Sequence, residues 1–360
     1  MRSSALLEYL SQRFEVDLIT FARDVPGAAW IELPRHSRSL PAKAWRNARR
    51  FALGRPPLLD RYSGFGEELL RALPRQDYEL AVIEHFWCAP YAAALRPRAR
   101  RLVLDLHNTE SDLARTVANS EPWPVSAMFR RFAAAYERLE REWLPRFDAV
   151  LATSRREAEA ARAFGANAIL YPNTIPFRPV AQAAREDAII FTGNLEYHPN
   201  VSAVRWFARE IWPLIRAKAP RLEWRLVGKN PGAVEREVAG VGGVRVIGPV
   251  DDAIAQIARA RIAVAPMRAG SGTRFKIVEA WCAGTPAVST TLGAEGLEAE
   301  PGRDLAIADR SSGFADAVLL LAGDEAEGAR LARNGRRLFE RRFTTEAGWK
   351  LLDESGVFSW

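Results

Sequence analysis

Cysteine is nearly missing from this chain. Its 360 residues hold two, Cys88 and Cys282, far apart in sequence and each in apolar surroundings. That is neither a disulfide framework nor a zinc pattern, and the two read as buried free thiols of a reducing compartment. Histidine is scarce too: four residues, none paired at ligand spacing, which argues against a histidine-based metal site. No run of 18 apolar residues occurs, so no segment reads as a membrane-spanning helix. The opening stretch has no long apolar core and no small-residue cleavage site, unlike a secretory signal. These absences predict a cytoplasmic protein. Lysine is rare as well, with five of the 51 basic residues.

What is present is ordinary globular composition, 48% hydrophobic and 26% charged, at a length that predicts two domains. The formal charge of +7 is unevenly placed: residues 1–180 carry 27 basic against 21 acidic side chains, residues 181–360 carry 24 against 23. Arginines cluster at Arg46, Arg49, Arg50 and at Arg96, Arg98, Arg100, Arg101. Solvated faces explain such clusters most simply; otherwise they suit peripheral contact with an anionic membrane at its inner face, or a lipid diphosphate. Nucleic acid ranks last, for want of interleaved aromatic and basic residues or a zinc module.

Along the chain, helix-like and strand-like segments alternate. Apolar spacing predicts a helix over 3–13, then a short strand over 16–21. Residues 24–60, rich in Pro, Arg and Ala, resist assignment. Strands follow at 80–83, 102–106 and 149–153, with helices at 67–73 and 127–145. Charges at i,i+4 spacing suggest that the 127–145 helix is laced by ion pairs and packed on a sheet. Ser154 and Glu157 form a capping-box signature for a helix over 155–163. A Pro-flanked stretch, Phe177 to Asp187, reads as a linker. The pattern then restarts, with strands at 188–192, 224–228, 244–247, 262–265, 287–289 and 305–308, and helices at 199–218, 279–283, 312–322 and 325–340. Strand–helix alternation in both halves predicts parallel, doubly wound sheets. In such sheets ligands bind beyond the carboxyl ends of strands. The loops of interest are therefore 107–110, 193–199, 228–231 and 267–273.

One segment concentrates the chemistry. After the strand 262–265 come Gly270, Ser271, Gly272 and Thr273, then Arg274, Lys276 and Glu279 on a helix. Unsatisfied N–H groups at a helix entrance attract phosphate, and glycines let it approach closely. Arg274 and Lys276 could offset diphosphate charge, and Glu279 could accept from a ribose diol. A tight turn with solvated charges explains the same residues equally well. Neither G-x-x-x-x-G-K-[ST] nor G-x-G-x-x-G is present.

This segment resembles the nucleotide-sugar site of the retaining GT-B glycosyltransferases of family 4, in the form P-x-x-x-G-x-G-T-R-x-K-x-x-E-A. Pro266, Gly270, Gly272, Thr273, Arg274, Lys276, Glu279 and Ala280 match it. Further likeness lies in Phe191-Thr-Gly193-Asn-Leu195 with Pro199-Asn-Val, in Leu226-Val-Gly228, in Leu104-Asp-Leu-His107-Asn-Thr-Glu110 and in Tyr171-Pro-Asn173. The resemblance implies two Rossmann-like, doubly wound α/β domains facing across a cleft: an acceptor-side domain over 1–177, a donor domain over 188–340, and a C-terminal helix within 341–360 returning to the first domain. It implies sugar transfer from a UDP- or GDP-sugar to a glycan or lipid-linked acceptor, with retention and without a metal or other cofactor. It assigns Glu279 to the ribose hydroxyls and Gly272 and Thr273 to the diphosphate. Gly193 and Gly228 fall in its strand-end loops, and His107 near the donor sugar. Ser271 stands where the family's first E-x7-E glutamate lies. Asn194 and Pro199 replace the usual Arg and Lys of the donor-domain opening, leaving Arg274 and Lys276 as substitutes and Lys229 as a weaker one. The family's first strand and Gly-rich loop have no counterpart before the first helix. A non-catalytic nucleotide-binding relative and a nucleotide-sugar epimerase are the rival readings.

Overall fold

The computed structural model describes residues 2–33, 39–120, 122–179, 184–269 and 275–359, the side chains of Lys43 and Ser120 excepted. The chain divides into two units, Met1–Tyr171 with Leu351–Trp360, and Pro172–Lys350.

In the first unit the apolar runs become strands. β1 (Leu18–Thr20) and β2 (Ala28–Trp30) pair in parallel as a small sheet. β3 (Tyr78–Glu84), β4 (Ala99–Leu106), β5 (Ala149–Ala152) and β6 (Ala168–Leu170) form a parallel sheet in that order. Leu102, Leu104, Leu106, Val150 and Ala152 all pack into one core with Phe86, Phe132, Tyr136 and Leu144. The helix Val125–Trp143 turns Phe132, Ala133 and Tyr136 inward, while Glu137 pairs with Arg141 one turn on at 2.7 Å. It is the laced, packed helix its charge spacing predicts. Ser154 caps the helix Arg155–Ala163 by accepting from the Glu157 N–H at 3.2 Å. The unassigned stretch 24–60 contains β2 and the helices Leu40–Leu53 and Pro57–Tyr62.

The second unit has six parallel strands in the order β12-β11-β10-β7-β8-β9. They are β7 (Glu186–Thr192), β8 (Glu223–Val227), β9 (Val244–Ile247), β10 (Ala260–Ala265), β11 (Ala287–Ser289) and β12 (Ala306–Ile307). Both faces of the sheet are covered. Ile189, Phe191, Ile262 and Val264 enter one core with Phe207, Trp212, Trp224 and Phe314. Their neighbours Ile190, Ala263 and Ala265 enter the other, with Ile277, Trp281 and Phe339. This period of two, apolar on both sides, is what a doubly wound sheet requires. Gly335 makes room for Trp281: a Cβ there would fall 2.2 Å from the indole, whose Nε1 donates to the Asp304 carbonyl at 3.1 Å.

Three expectations shift. The helix foreseen over 199–218 is His198–Trp206, a π-helical turn Phe207–Ile211, and Trp212–Lys218. Pro213 has no N–H to continue the α-helical ladder, and the widened turn absorbs the loss. The division falls at Tyr171/Pro172, ahead of the Pro-flanked stretch, because the Ile175 N–H bonds the Phe343 carbonyl at 2.9 Å within the second unit. At the other end only Leu351 onward joins the first unit. There Asp353 accepts from Tyr9 Oη at 2.7 Å and Phe358 packs on the Tyr9 ring at 5.5 Å. Both cysteines are free thiols, Cys282 buried and Cys88 partly so. Among the described residues no helix is long and apolar enough to cross a membrane.

Candidate functional site

In the second unit the chain winds β7 to β8 to β9 in one direction, then places β10 on the other side of β7. A crevice opens at such a switch, beyond the carboxyl ends of β7 and β10. Thr192 ends β7 there, and Gly193 follows with φ +143°. The Gly193 N–H donates to the Val227 carbonyl at 3.1 Å, and the Leu195 N–H to the Lys229 carbonyl at 2.9 Å. Gly228, at φ +151°, lies so close that a Cβ on it would sit 1.7 Å from the Gly193 oxygen. Only glycine permits this approach.

The helix Phe275–Cys282 brings two charged side chains to the same place. Glu279 accepts from Thr192 Oγ1 at 3.3 Å. Lys276 Nζ donates to Asn200 Oδ1 at 3.1 Å and lies 5.0 Å from the centre of the Phe191 ring. Asn200 is buried, and its Nδ2 donates to the Asn194 carbonyl at 2.8 Å. Burial raises the Glu279 carboxyl above its usual range, against the opposing pull of the Lys276 ammonium and the Thr192 hydroxyl. The arrangement offers a hydrogen-bonding carboxyl and a cation beside a glycine-lined strand end, which suits a diol next to a phosphate.

Of the expected donor-side residues, the structure brings together Gly193, Gly228, Lys276 and Glu279. Lys229 sits at the end of β8 with its side chain exposed. Ser271, Gly272, Thr273 and Arg274, with Gly270, lie outside the described residues. Thr192 and Asn200 were not among the expected site residues. The sequence signal for Asn200 is a short amide just inside a helix that follows a strand-end glycine.

The first unit gathers charge at the ends of β3 and β4, whose last pairs set Glu84 beside Asp105. Asp105 is fully buried and takes both oxygens to Arg2 Nε, at 2.8 and 2.9 Å. Arg2 also donates to the Tyr171 carbonyl at 2.5 Å and lies over the Tyr171 ring. His107 Nε2 is 2.7 Å from Glu84 Oε2 and 3.4 Å from Asp105 Oδ2. Burial alone would lower the His107 pKa, but hydrogen bonds and charge from Asp105 and Glu84 outweigh it and lift it to about 9. His85 stacks on Trp87 and lies tilted against the His107 ring, and burial next to His107 pushes it down to about 4. Asp105 stays ionised, since Arg2 and His107 overcome its desolvation. Further along, the helix Glu110–Ser120 begins with a buried acid, and burial near Glu140 lifts Glu110 to about 8. The Glu140 carboxyl rises to about 7 by burial, although the Ser111 N–H donates to it at 3.1 Å.

Glu84, His85 and His107 bring one ligand atom each within 4.8 Å of one another. His107 Nε2 is in hydrogen-bonding contact with Glu84, so the three side chains form one hydrogen-bonded, charged cluster at the ends of β3 and β4.

Comparison with known proteins covers both halves. The family model described as Glycosyltransferase Family 4 matches residues 4–176, and that of Glycosyl transferases group 1 matches residues 186–324. An uncharacterized 44.6 kDa protein from the cps region of Klebsiella pneumoniae is 22% identical over 262 residues, 68% of this chain and 65% of that protein. Sucrose-phosphate synthase from Thermosynechococcus elongatus superimposes with a TM-score of 0.69 at 18% identity, over 98% of this chain and 90% of that one. HepE from Anabaena, solved with UDP and glucose, gives 0.57 at 17% identity, over 76% and 77%. TarM of S. aureus gives 0.63 at 12% identity, over 78% of this chain and 55% of its own length. The chain thus spans less than two thirds of the Klebsiella relative and of TarM. A parallel sheet in each unit, together with superposition over nearly the whole chain, gives the fold class as GT-B. Each half thus matches a model of a glycosyltransferase family, and the fold is that of the GT-B glycosyltransferases.

Proposed function

We propose that the protein transfers a sugar from a UDP- or GDP-sugar to a glycan or lipid-linked acceptor, with retention at the anomeric carbon and without a metal. The observation that carries this reading is the convergence of Glu279, Thr192 and Lys276 on the glycine-lined end of β7. Glu279 is assigned to the ribose hydroxyls. Lys276 and Arg274, with the backbone of Gly272 and Thr273, are assigned to the diphosphate, whose charge grows as the sugar leaves. Gly193 and Gly228 keep Cβ atoms away from the bound nucleotide, and Lys229 and Ser271 border it. His107, protonated at neutral pH, is assigned to the donor sugar as a hydrogen-bond donor. Supporting the reading, HepE carries UDP and glucose in its structure, and the Klebsiella relative lies in a cps region.

A thermal-shift panel with UDP, GDP, ADP and CMP tests the donor site. A nucleotide at 100 times its Kd stabilises by about 2.7 kcal/mol, which is readily seen. A shift with UDP or GDP alone is the expected outcome. A protein that melts cooperatively and shifts with none of them has no donor site of this kind. Turnover without any acceptor, converting one nucleotide-sugar to another, would identify an epimerase instead. Anomeric assignment of the product by NMR decides retention, and unchanged turnover in EDTA decides metal independence.

A further inference from the structure

The helix Leu40–Leu53 is amphipathic the wrong way round. Ala42, Arg46 and Arg50, at i, i+4 and i+8, are its least exposed described residues and face the protein. Arg50 Nε is held by Asp60 at 2.9 Å. The opposite arc carries Leu40, Ala44, Trp45, Ala48, Phe51 and Ala52, all exposed, with Leu40 at 81% and Trp45 at 72%. No described side chain of this helix is buried. It is held to its neighbour from the flank, where Arg131 Nη2 donates to the Ala52 carbonyl at 2.8 Å and the guanidinium lies 5.2 Å from the centre of the Phe51 ring. A surface helix ordinarily turns its apolar stripe inward, and one that turns it outward needs an apolar partner from elsewhere.

Charge names the partner. Residues 33–59 contain seven arginines and lysines and no acidic residue. Arg49 borders the apolar arc, and Arg55 is exposed just beyond the Gly54 cap. A second copy of the chain would set these cations against their own kind. An anionic bilayer accepts them at its headgroups and takes Trp45, Leu40 and Phe51 at the acyl boundary, where tryptophan is favoured. We propose that the helix Leu40–Leu53 lies in the face of an anionic lipid bilayer and holds the protein to the membrane surface. This goes beyond the glycosyl-transfer reading and does not depend on it.

The test is co-sedimentation of the full chain with vesicles of phosphatidylcholine alone, or containing about 30 mol% phosphatidylglycerol. The protein is expected to pellet with the anionic vesicles and to be released as salt rises from about 0.1 M to about 0.5 M. Leu40→Gln/Trp45→Gln/Phe51→Gln should lower partitioning by at least about tenfold at either salt. Arg49→Gln and Arg55→Gln should each lower it about fivefold at low salt only. All five positions are exposed, and unchanged melting temperatures confirm folded variants. Wild-type protein that stays in the supernatant overturns the proposal, as does a triple glutamine variant that pellets like wild type. A vesicle-free dimer that depends on Trp45 would also overturn it, and would assign the face to a second copy. Pelleting needs no nucleotide, so its failure leaves the donor-site reading standing, and failure of nucleotide binding leaves this one standing.

Discussion

His85 and His107 lie with their ring centroids 3.8 Å apart, and only one of them is charged at neutral pH. Two imidazolium ions at that separation would repel, and the cluster resolves this by position. His107 reaches Glu84 and Asp105 and keeps its proton to about pH 9. His85 is pressed between His107 and Trp87 and stays neutral down to about pH 4.

Stability should therefore depend on pH in two opposite ways. The folded pKa of His107 lies above the unfolded value of about 6.5, so its contribution is complete below about pH 6.5 and fades as pH rises through about 9. The ceiling of that contribution is about 3 kcal/mol. For His85 the folded pKa is depressed, so the unfolded chain takes a proton first and stability falls as pH drops from about 6.5 to about 4. Urea unfolding between pH 5 and 10 should show His107→Gln with a shallower alkaline decline than wild type, and His85→Phe with a shallower acid decline. An unchanged alkaline slope in His107→Gln would mean that the imidazolium is not held by its two carboxylates.

Glu279 provides the direct handle on the proposed donor site. Its carboxyl is partly buried, hydrogen-bonded by Thr192, and lifted by desolvation. Glu279→Ala should weaken UDP or GDP binding by about 1–3 kcal/mol, the cost of leaving buried hydroxyls unpartnered. Glu279→Gln keeps an acceptor and should lose less. Titration calorimetry with both nucleotides measures the two variants, and wild-type affinity in Glu279→Ala would remove the residue from the site.

Much of this was legible before any coordinates. The apolar runs around Leu102–Leu106 and Ala188–Thr192 predict central strands, and the strand-end rule selects Gly193, Gly228 and His107. Two kinds of feature were not legible. Arg2 meets Asp105 across 103 positions of sequence, and no local pattern announces a pairing set by topology. The helix Leu40–Leu53 lies in a Pro-, Arg- and Ala-rich stretch with few large apolar residues, and that its apolar arc faces outward shows only in the structure. The helix Glu110–Ser120, by contrast, left a readable sign: Thr109 stands just before it, with Glu110 and Asp112 in its first turn.

The contact between Gly193 and Gly228 makes a sharper stability prediction than either residue alone. A methyl at position 228 would overlap the Gly193 oxygen, which is backbone and has no rotamer to adopt. The ends of β7 and β8 would have to separate, breaking the bonds that join Gly193 to Val227 and Leu195 to Lys229. Gly228→Ala should cost about 3–5 kcal/mol by denaturant unfolding, in the range reserved for overpacking and backbone strain. Gly240→Ala is the control: φ there is +75° and a Cβ would meet nothing within 4 Å, so strain acts without a clash. Its cost should be about 1 kcal/mol. Equal losses would show that φ alone, and not the close approach of two strand ends, fixes the glycine at 228.

Arg2 and Asp105 form a buried ion pair within the first unit. Both side chains are buried, and Arg2 spends its remaining reach on the Tyr171 carbonyl. Removing one partner strands a charge in apolar surroundings, so Arg2→Met or Asp105→Asn should each cost about 3–5 kcal/mol. Removing both should cost far less than the sum, because a buried pair repays little more than its own desolvation. A double-mutant cycle by urea unfolding reads the coupling directly, with additivity within about 0.5 kcal/mol as the result that would deny it. Asp105 also leans on His107 at 3.4 Å. The Asp105→Asn variant should therefore lower the His107 pKa, which NMR titration of the imidazole can follow, while Arg2→Met leaves the carboxylate to His107 alone and should raise it. Opposite shifts from two variants of similar instability would separate an electrostatic role for the pair from a merely structural one.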